Sequence, residues 1–526
     1  MLRWGPVLVL ASAAFAAVPA SASAGDGSAG AAVRARKRRP KTTPLVLQKF
    51  TPRHGAKFVD LGADIRLRFS APVDPATVTP QNILVRRLLE TETVEWTPRL
   101  TSGGRTVVLS LAAPFEPGTD YEVVVLPGVA KPDGTSIKRR KHAIFYTDNR
   151  FSPYPVLHPD MFMDLLETMH EPRAAHSATV VAGGYVLIAG GQTDTIGMCV
   201  SAELYDPYLQ DFRLLQTLLG TPRAYHPAVR LNGGDALLIG GWDGNGGAIA
   251  TTEVYDRSTA SLRSGGTMNE DRDFHAAVTL RDGRVLVTGG LHYLSTGAAY
   301  SETAELMDLD RVWHVTAGKP LRRRVGHTLS LLPDGTVLIV GGTTESQGFG
   351  TSAEIFDPKT ETFRFVTGSP RQHRQLHSAV TIDVGEGLEP HVLLADGGDP
   401  IAEVYDPLTE RFYPAGGSSF SNRTRATSSL LPSGDVLFAG GFEQRGTTTL
   451  ILSSMDLYVR SAGDWGRIFY VNVAFKQPRA GHTASTLLDG SVLFAGGFDQ
   501  AGGTNLDTAV VFTPPPAPAA KTVVPK

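Results

Sequence analysis

One phrase recurs along most of this chain and limits what it can become. It opens with Arg-x-x-His, runs through an apolar stretch to a glycine-rich turn, and ends in a second apolar stretch closed by Gly-Gly. The clearest copy runs from Arg223 and His226 through Asn232-Gly233-Gly234-Asp235 and Ala236 to Ile239, ending at Gly240-Gly241. The anchors are His176, His226, His275, His327, His377 and His482, and a further copy has Ala426 in that place, with 49 to 56 residues between successive anchors. A unit this short cannot bury an apolar face alone. Such units must stack on their neighbours.

The glycine pairs are Gly190-Gly191, Gly240-Gly241, Gly289-Gly290, Gly341-Gly342, Gly397-Gly398, Gly440-Gly441 and Gly496-Gly497. A variable loop follows each pair. A third run then carries an acidic pattern, at Glu203 to Asp206, Glu253 to Asp256, Glu305 to Asp308, Glu354 to Asp357 and Glu403 to Asp406. The fourth opens near Phe212, Leu262, Trp313, Phe363, Phe412 or Trp465. Four short strands per unit, repeated radially, predict a β-propeller. The last unit reaches a third strand at Ala509 to Phe512 and stops at Pro514-Pro515-Pro516. Met161 to Met169 stands where a fourth strand would precede the next Arg, so it is expected to complete that sheet and remove its open edge. The order and spacing resemble the kelch repeat. That resemblance implies a seven-bladed kelch β-propeller over residues 161–514.

The chain has 526 residues and a formal net charge of −2, which gives no general attraction for nucleic acid or anionic membranes. Its single cysteine, Cys199, excludes an internal disulfide framework. Residues 1–24 read as an export signal, with Arg3, an apolar stretch from Pro6 to Val18, and Ala22-Ser23-Ala24 as the cleavage site. A secreted protein, periplasmic or extracellular, follows as the expectation. Residues 25–43 are small and basic and read as a disordered linker. Residues 149–160 read as a second linker and 515–526 as a disordered tail.

Residues 44–148 alternate in the manner of half-buried strands, as in Ile65, Leu67 and Phe69 against Arg66 and Arg68. Thr106 to Leu111 and Tyr121 to Leu126 are further strands, and an antiparallel β-sandwich is predicted. Thr51-Pro52-Arg53-His54-Gly55, Arg68-Phe69-Ser70-Ala71-Pro72-Val73-Asp74, Pro117-Gly118-Thr119-Asp120-Tyr121 and Phe145-Tyr146-Thr147 resemble the bacterial Ig-like domain of surface-layer type. The resemblance implies an adhesive or spacer module. The whole chain is therefore expected to be all-β, an Ig-like β-sandwich followed by the propeller.

The repeated Arg173, Arg223, Arg272, Arg324, Arg374, Arg423 and Arg479, with five strand-three Glu and six strand-three Asp, the sixth being Asp456, offer a charged ring for a glycan or an acidic ligand. An element present in every unit is better explained by packing, and ion pairs between blades are expected. The histidines are expected to be buried and bonded to backbone. A binding site should break the symmetry, and the residue before each anchor does so: Ala175, Tyr225, Phe274, Gly326, Leu376, Arg425 and Gly481. Tyr225, Phe274 and Arg425 are the candidate contacts, joined by Trp242 in the loop after Gly241. Arg223-Ala224-Tyr225-His226 also resembles the copper-binding Tyr-His of the galactose oxidase family. That family needs a second tyrosine joined to a cysteine and a further histidine. Phe274 stands where that tyrosine would be wanted, and Cys199 is off the motif. A sialic acid epimerase-like kelch enzyme would use an Arg and a Glu. The expectation is a monomer that binds a protein or cell-surface glycan through one propeller face. No catalytic residue, metal or cofactor is expected, nor nucleic acid or a membrane span; a carbohydrate-active enzyme of either type is the alternative.

Overall fold

The computed structural model describes residues 44–515 except 55, 60–61, 88–92, 114, 116–119, 148–160, 194–196, 296, 345–347, 350, 385–388, 418–420, 447, 461–464 and 500–503. The expected export signal, both linkers and all of the tail but residue 515 lie outside the described residues. Contacts divide the chain into two compact units, broadly before and after Thr147. No helix among the described residues is long and apolar enough to cross a membrane.

The N-terminal unit holds two four-stranded sheets. One orders its strands Leu47–Thr51, Ile65–Phe69, Thr106–Leu111 and Trp96–Thr101; the other Ala56–Val59, Lys141–Thr147, Asp120–Val125 and Ile83–Arg87. Strict alternation puts Ile65, Leu67 and Phe69 inward, against Val85, Val123, Val125 and Phe145 of the opposite sheet. This is a sandwich core, in which each strand gives every second side chain to the interior. The sandwich is not wholly antiparallel, because Ala56–Val59 pairs parallel to Lys141–Thr147.

The C-terminal unit contains seven four-stranded antiparallel sheets among the described residues. The first comprises Ser177–Val180, Val186–Ala189, Ala202–Asp206 and Asp211–Leu214. In all seven the second strand is buried along its whole length, as in Ala236–Ile239 and Val337–Val340. It is covered on both faces, which is why it is apolar without alternation. Each apolar core is shared between consecutive sheets. Leu187 and Ala189 meet Ala236 and Leu238, for example, and Leu237 and Ile239 meet Val285 and Val287. The final core joins the seventh sheet, through Leu493 and Val511, to the first, through Val186 and Ile188. The unit is thus β-propeller-like.

The seventh sheet takes its outer strand from upstream, where Phe162, Met163 and Asp164 pair with Phe512, Val511 and Val510. That strand, Phe162–Asp164, is shorter than the Met161 to Met169 stretch proposed for it.

Two sets of backbone hydrogen bonds stitch the sheets together. The second glycine position of each repeat donates its N–H to the carbonyl of the next repeat's Arg, from Gly191 to Arg223 through to Gly497 and Arg173. In six of the seven repeats the residue before the anchor donates to its counterpart in the preceding repeat, as in Tyr225 to Ala175 (3.0 Å) and Leu376 to Gly326 (2.8 Å). All seven positions have left-handed backbone, with φ of 55° at Ala175, 54° at Tyr225, 49° at Phe274 and 51° at Arg425. A non-glycine residue costs about 1–2 kcal/mol there. Ala175→Gly is therefore expected to raise stability by about 1 kcal/mol in urea unfolding, while an unchanged midpoint would show that the belt carries no strain.

Three sequence expectations are corrected by register. Trp465 does not open the sixth sheet's outer strand. That strand is Arg467–Ala474, and Ile468 pairs with Tyr458 as Phe212 pairs with Tyr205. Trp465 stacks instead on Tyr413 at 3.9 Å and 3°. In the fifth repeat the working pair is Asp396-Gly397, since Gly397 makes the conserved donation to Arg423. Asp456 occupies the place of the strand-three Glu, because it faces Phe438 as Glu203 faces Ile188.

Candidate functional site

The repeated arginines are fully buried structural clamps, and their ion pairs lie within a repeat, except that Arg423 of the sixth also faces Asp396 of the fifth. Arg173 donates to the Gly190 carbonyl at 2.9 Å and to Glu203 at 2.8 Å; Arg223 does the same with Gly240 and Glu253, both at 2.8 Å. Each clamp ties the start of one repeat to its own second and third strands. In the sixth repeat Asp456 substitutes, accepting from Arg423 at 2.7 Å. In the seventh no acid hydrogen-bonds the arginine among the described residues; Arg479 bonds Gly496 and Thr508 and feels only the charge of Asp164. Burial then pulls its guanidinium down to about 10.

The histidines are buried, and five of them pair with hydroxyls, while backbone also acts on His176, from Arg173, and on His275, from Ile239. His226 pairs with Ser177 (2.9 Å), His377 with Thr328 (2.9 Å), His482 with Thr427 (2.9 Å) and His176 with Thr483 (3.0 Å). Each hydroxyl belongs to the residue after the preceding repeat's anchor position. Where that residue is Ala276, His327 bonds Thr288 instead, at 2.8 Å. Where it is Pro227, neither ring nitrogen of His275 has a hydrogen bond, and only the Ile239 carbonyl lies near. Burial, reinforced by the neighbouring arginines, holds His176, His327 and His377 down to about 3 and the other three well below their usual range. The six rings are therefore neutral.

The histidines and the residues before the anchors line one cavity of about 350 Å3. Here Tyr225, Phe274 and Arg425 come together. The Tyr225 and Phe274 rings stack at 4.4 Å and 26°. The Arg425 guanidinium lies 5.0 Å from the Tyr225 ring centre and 5.7 Å from that of Phe274. Counting repeats, Arg425 belongs to the sixth and the aromatics to the second and third, so the contact crosses the ring of repeats. Tyr225 Oη donates to Gln192 Oε1 at 2.9 Å, which fixes the ring. Trp242 is not among the cavity residues. It is half-buried and bridged by backbone to Ala224 and Ala248, the position that Phe442 and Phe498 hold in later repeats.

Asp396, which lies outside the cavity lining, was missed as a second break in the repeat pattern. In the other repeats a side chain at the first glycine position would strike the next repeat's histidine: a Cβ on Gly240 would sit 2.9 Å from His275 Cε1, and one on Gly341 2.8 Å from His377 Cε1. Only beside Ala426 is there room, and there Asp396 replaces the glycine at φ 63°. The paired exchange, glycine to Asp396 and histidine to Ala426, was the available signal. Asp396 Oδ1 lies 3.6 Å from Arg423 Nε, while Oδ2 is buried without a hydrogen bond. Burial pushes its carboxyl up to about 7, against the pull of Arg423.

Residues 41–147 match the family of bacterial Ig-like domains. No curated protein matches the chain. Among solved structures, it is similar to a novel fungal alcohol oxidase with catalytic diversity among the AA5 family, in complex with copper. The two are 18% identical with a TM-score of 0.53, over 67% of this chain and 76% of that one. At that identity the likeness concerns the fold.

The residues present do not fit a copper centre of that kind. Among the described residues, no group of three or more His, Cys, Asp or Glu side chains could hold a metal. His226 is committed to Ser177, and Tyr225 to Phe274 and Gln192. The Cys199 thiol is buried and pushed up to about 12, far from a thiolate ligand.

Proposed function

We propose that residues 161–514 form a seven-bladed kelch-type propeller in an exported bacterial surface protein, and that its central mouth binds a surface glycan without catalysis. The observation that carries this reading is the stacked Tyr225–Phe274 pair, which turns aromatic surface and the Arg425 charge toward a cavity of about 350 Å3. A sugar ring has an apolar face that packs on aromatic carbon, and its hydroxyls need neutral partners such as these imidazoles. The match of residues 41–147 to bacterial Ig-like domains supports a surface setting. The rigid belt of neutral histidines supports binding over proton transfer, since none of them titrates near neutral pH.

The test is a glycan array probed with the full chain. Saturable binding is expected, and Tyr225→Ala or Phe274→Ala should weaken it about ten-fold, the scale of one aromatic contact. Binding that survives both substitutions, or release of an altered sugar on prolonged incubation, would refute the reading.

A further inference from the structure

Resting on that mouth reading, we infer that Arg425 makes the cavity selective for a ring that carries both a carboxylate and hydroxyls, a hexuronate residue. Among the described residues lining the cavity, Arg425 bears the only formal charge, since the remainder are neutral histidines, aromatics, aliphatics and glycines. Its contacts to Tyr225 and Phe274 use the positive charge and leave the N–H donors uncommitted. It has no hydrogen-bond acceptor and no carboxylate partner among the described residues. Every other arginine at the start of a repeat is committed to carbonyls or hydroxyls, six of the seven also to an acid. A guanidinium fork with five donors and no acceptor fits a carboxylate in bidentate geometry. The buried Asp396 lies outside the cavity lining and faces Arg423.

The wall around Arg425 is otherwise uncharged, and the repeats differ there too. His275 is 7% exposed and lines the cavity, yet neither ring nitrogen is hydrogen-bonded, because Pro227 stands where its neighbours supply a hydroxyl. Pro227 lines the cavity as well. His275 therefore lends the cavity wall a neutral ring whose nitrogens are buried, with only the Ile239 carbonyl near them. The cavity is also at the small end of ligand pockets, which run from about 300 to 1,000 Å3, so it suits one sugar residue rather than a length of chain.

The test uses the full chain and calorimetric titration with D-glucuronate, D-glucose, which lacks the charge, and benzoate, which lacks the hydroxyls. Glucuronate is expected to bind with a Kd of about 1 mM or tighter, and at least about ten-fold more tightly than either comparison. Arg425→Gln should abolish the preference for glucuronate over glucose while leaving the melting temperature unchanged. Arg425→Lys, which keeps the charge but not the fork, should retain part of it. Glucose or benzoate binding as tightly as glucuronate would overturn the inference, as would a preference that survives Arg425→Gln. The two failures are distinguishable. If only the uronate assignment is wrong, neutral glycans still bind through Tyr225 without dependence on Arg425. If the mouth does not bind at all, no titrant shows heat and Tyr225→Ala is silent on the array.

Discussion

Between pH 7 and pH 4.5 the repeat unit is expected to lose most of its stability, with the melting temperature falling steeply as acid is added. Six buried histidines are held neutral, at about 3 or well below their usual value. A depressed histidine favours the folded state above the unfolded value of about 6.5, and that support is lost as the pH falls, because only the unfolded chain takes up the proton. Each ring contributes a slope of about 1.4 kcal/mol per pH unit in that window. Three buried carboxyls oppose the trend. Asp396 and Asp273 are both raised to about 7, and burial raises Asp435 as well, so they favour the folded state as the pH drops toward the usual carboxylate value. Six against three leaves a net loss of about 4 kcal/mol per pH unit. Urea midpoints at pH 7, 5.5 and 4.5 would show it, and His377→Gln should flatten the slope. Equal midpoints across that range would mean the rings are not buried as neutral species.

Placing a histidine back at position 426 is expected to destabilise the protein, and changing Asp396 to glycine in the same chain is expected to rescue it. In the other repeats the anchor ring passes within 3.0 Å of where a Cβ would lie on the preceding glycine position. Ala426→His alone therefore drives an imidazole into the Asp396 side chain, an overpacking of about 1–3 kcal/mol. Asp396→Gly alone relieves the positive φ and removes a buried carboxyl, but leaves a void beside Ala426. The double variant restores the pattern of the other repeats, and Ser378 stands where Ser177 bonds His226. The double variant should melt above both single variants, with a coupling of about 2 kcal/mol, and above the parent at pH 8, where Asp396 is ionised. Additive effects would sink the view that the two exchanges are one structural event.

Much of the strand framework was legible from periodicity. Ile65 to Phe69 alternates because one face meets the opposite sheet, and Ala236 to Ile239 does not because both faces are covered. The misreadings arose where identity and register part company. Trp465 has the right character for an outer strand but lies before Arg467, and the backbone pairs Ile468 instead. Gly397-Gly398 matches the motif in letters, yet the position is set by the carbonyl of Arg423, which selects Asp396-Gly397. Histidine partners could not be read from a single repeat, since the hydroxyl that each needs comes from the preceding one.

By itself, the order of residues determined the repeat, its period and the strands within it, because those depend on local alternation, turn-forming glycines and the need to bury an apolar face. It also marked Tyr225, Phe274 and Arg425 as the places where symmetry breaks. Only the tertiary structure decided that these three meet, that Trp242 stands apart from them, and that Asp396 fills the room left by Ala426. Those facts depend on distances between repeats some 50 to 200 residues apart, and such distances are set by how the sheets pack around their centre rather than by any pattern along the chain.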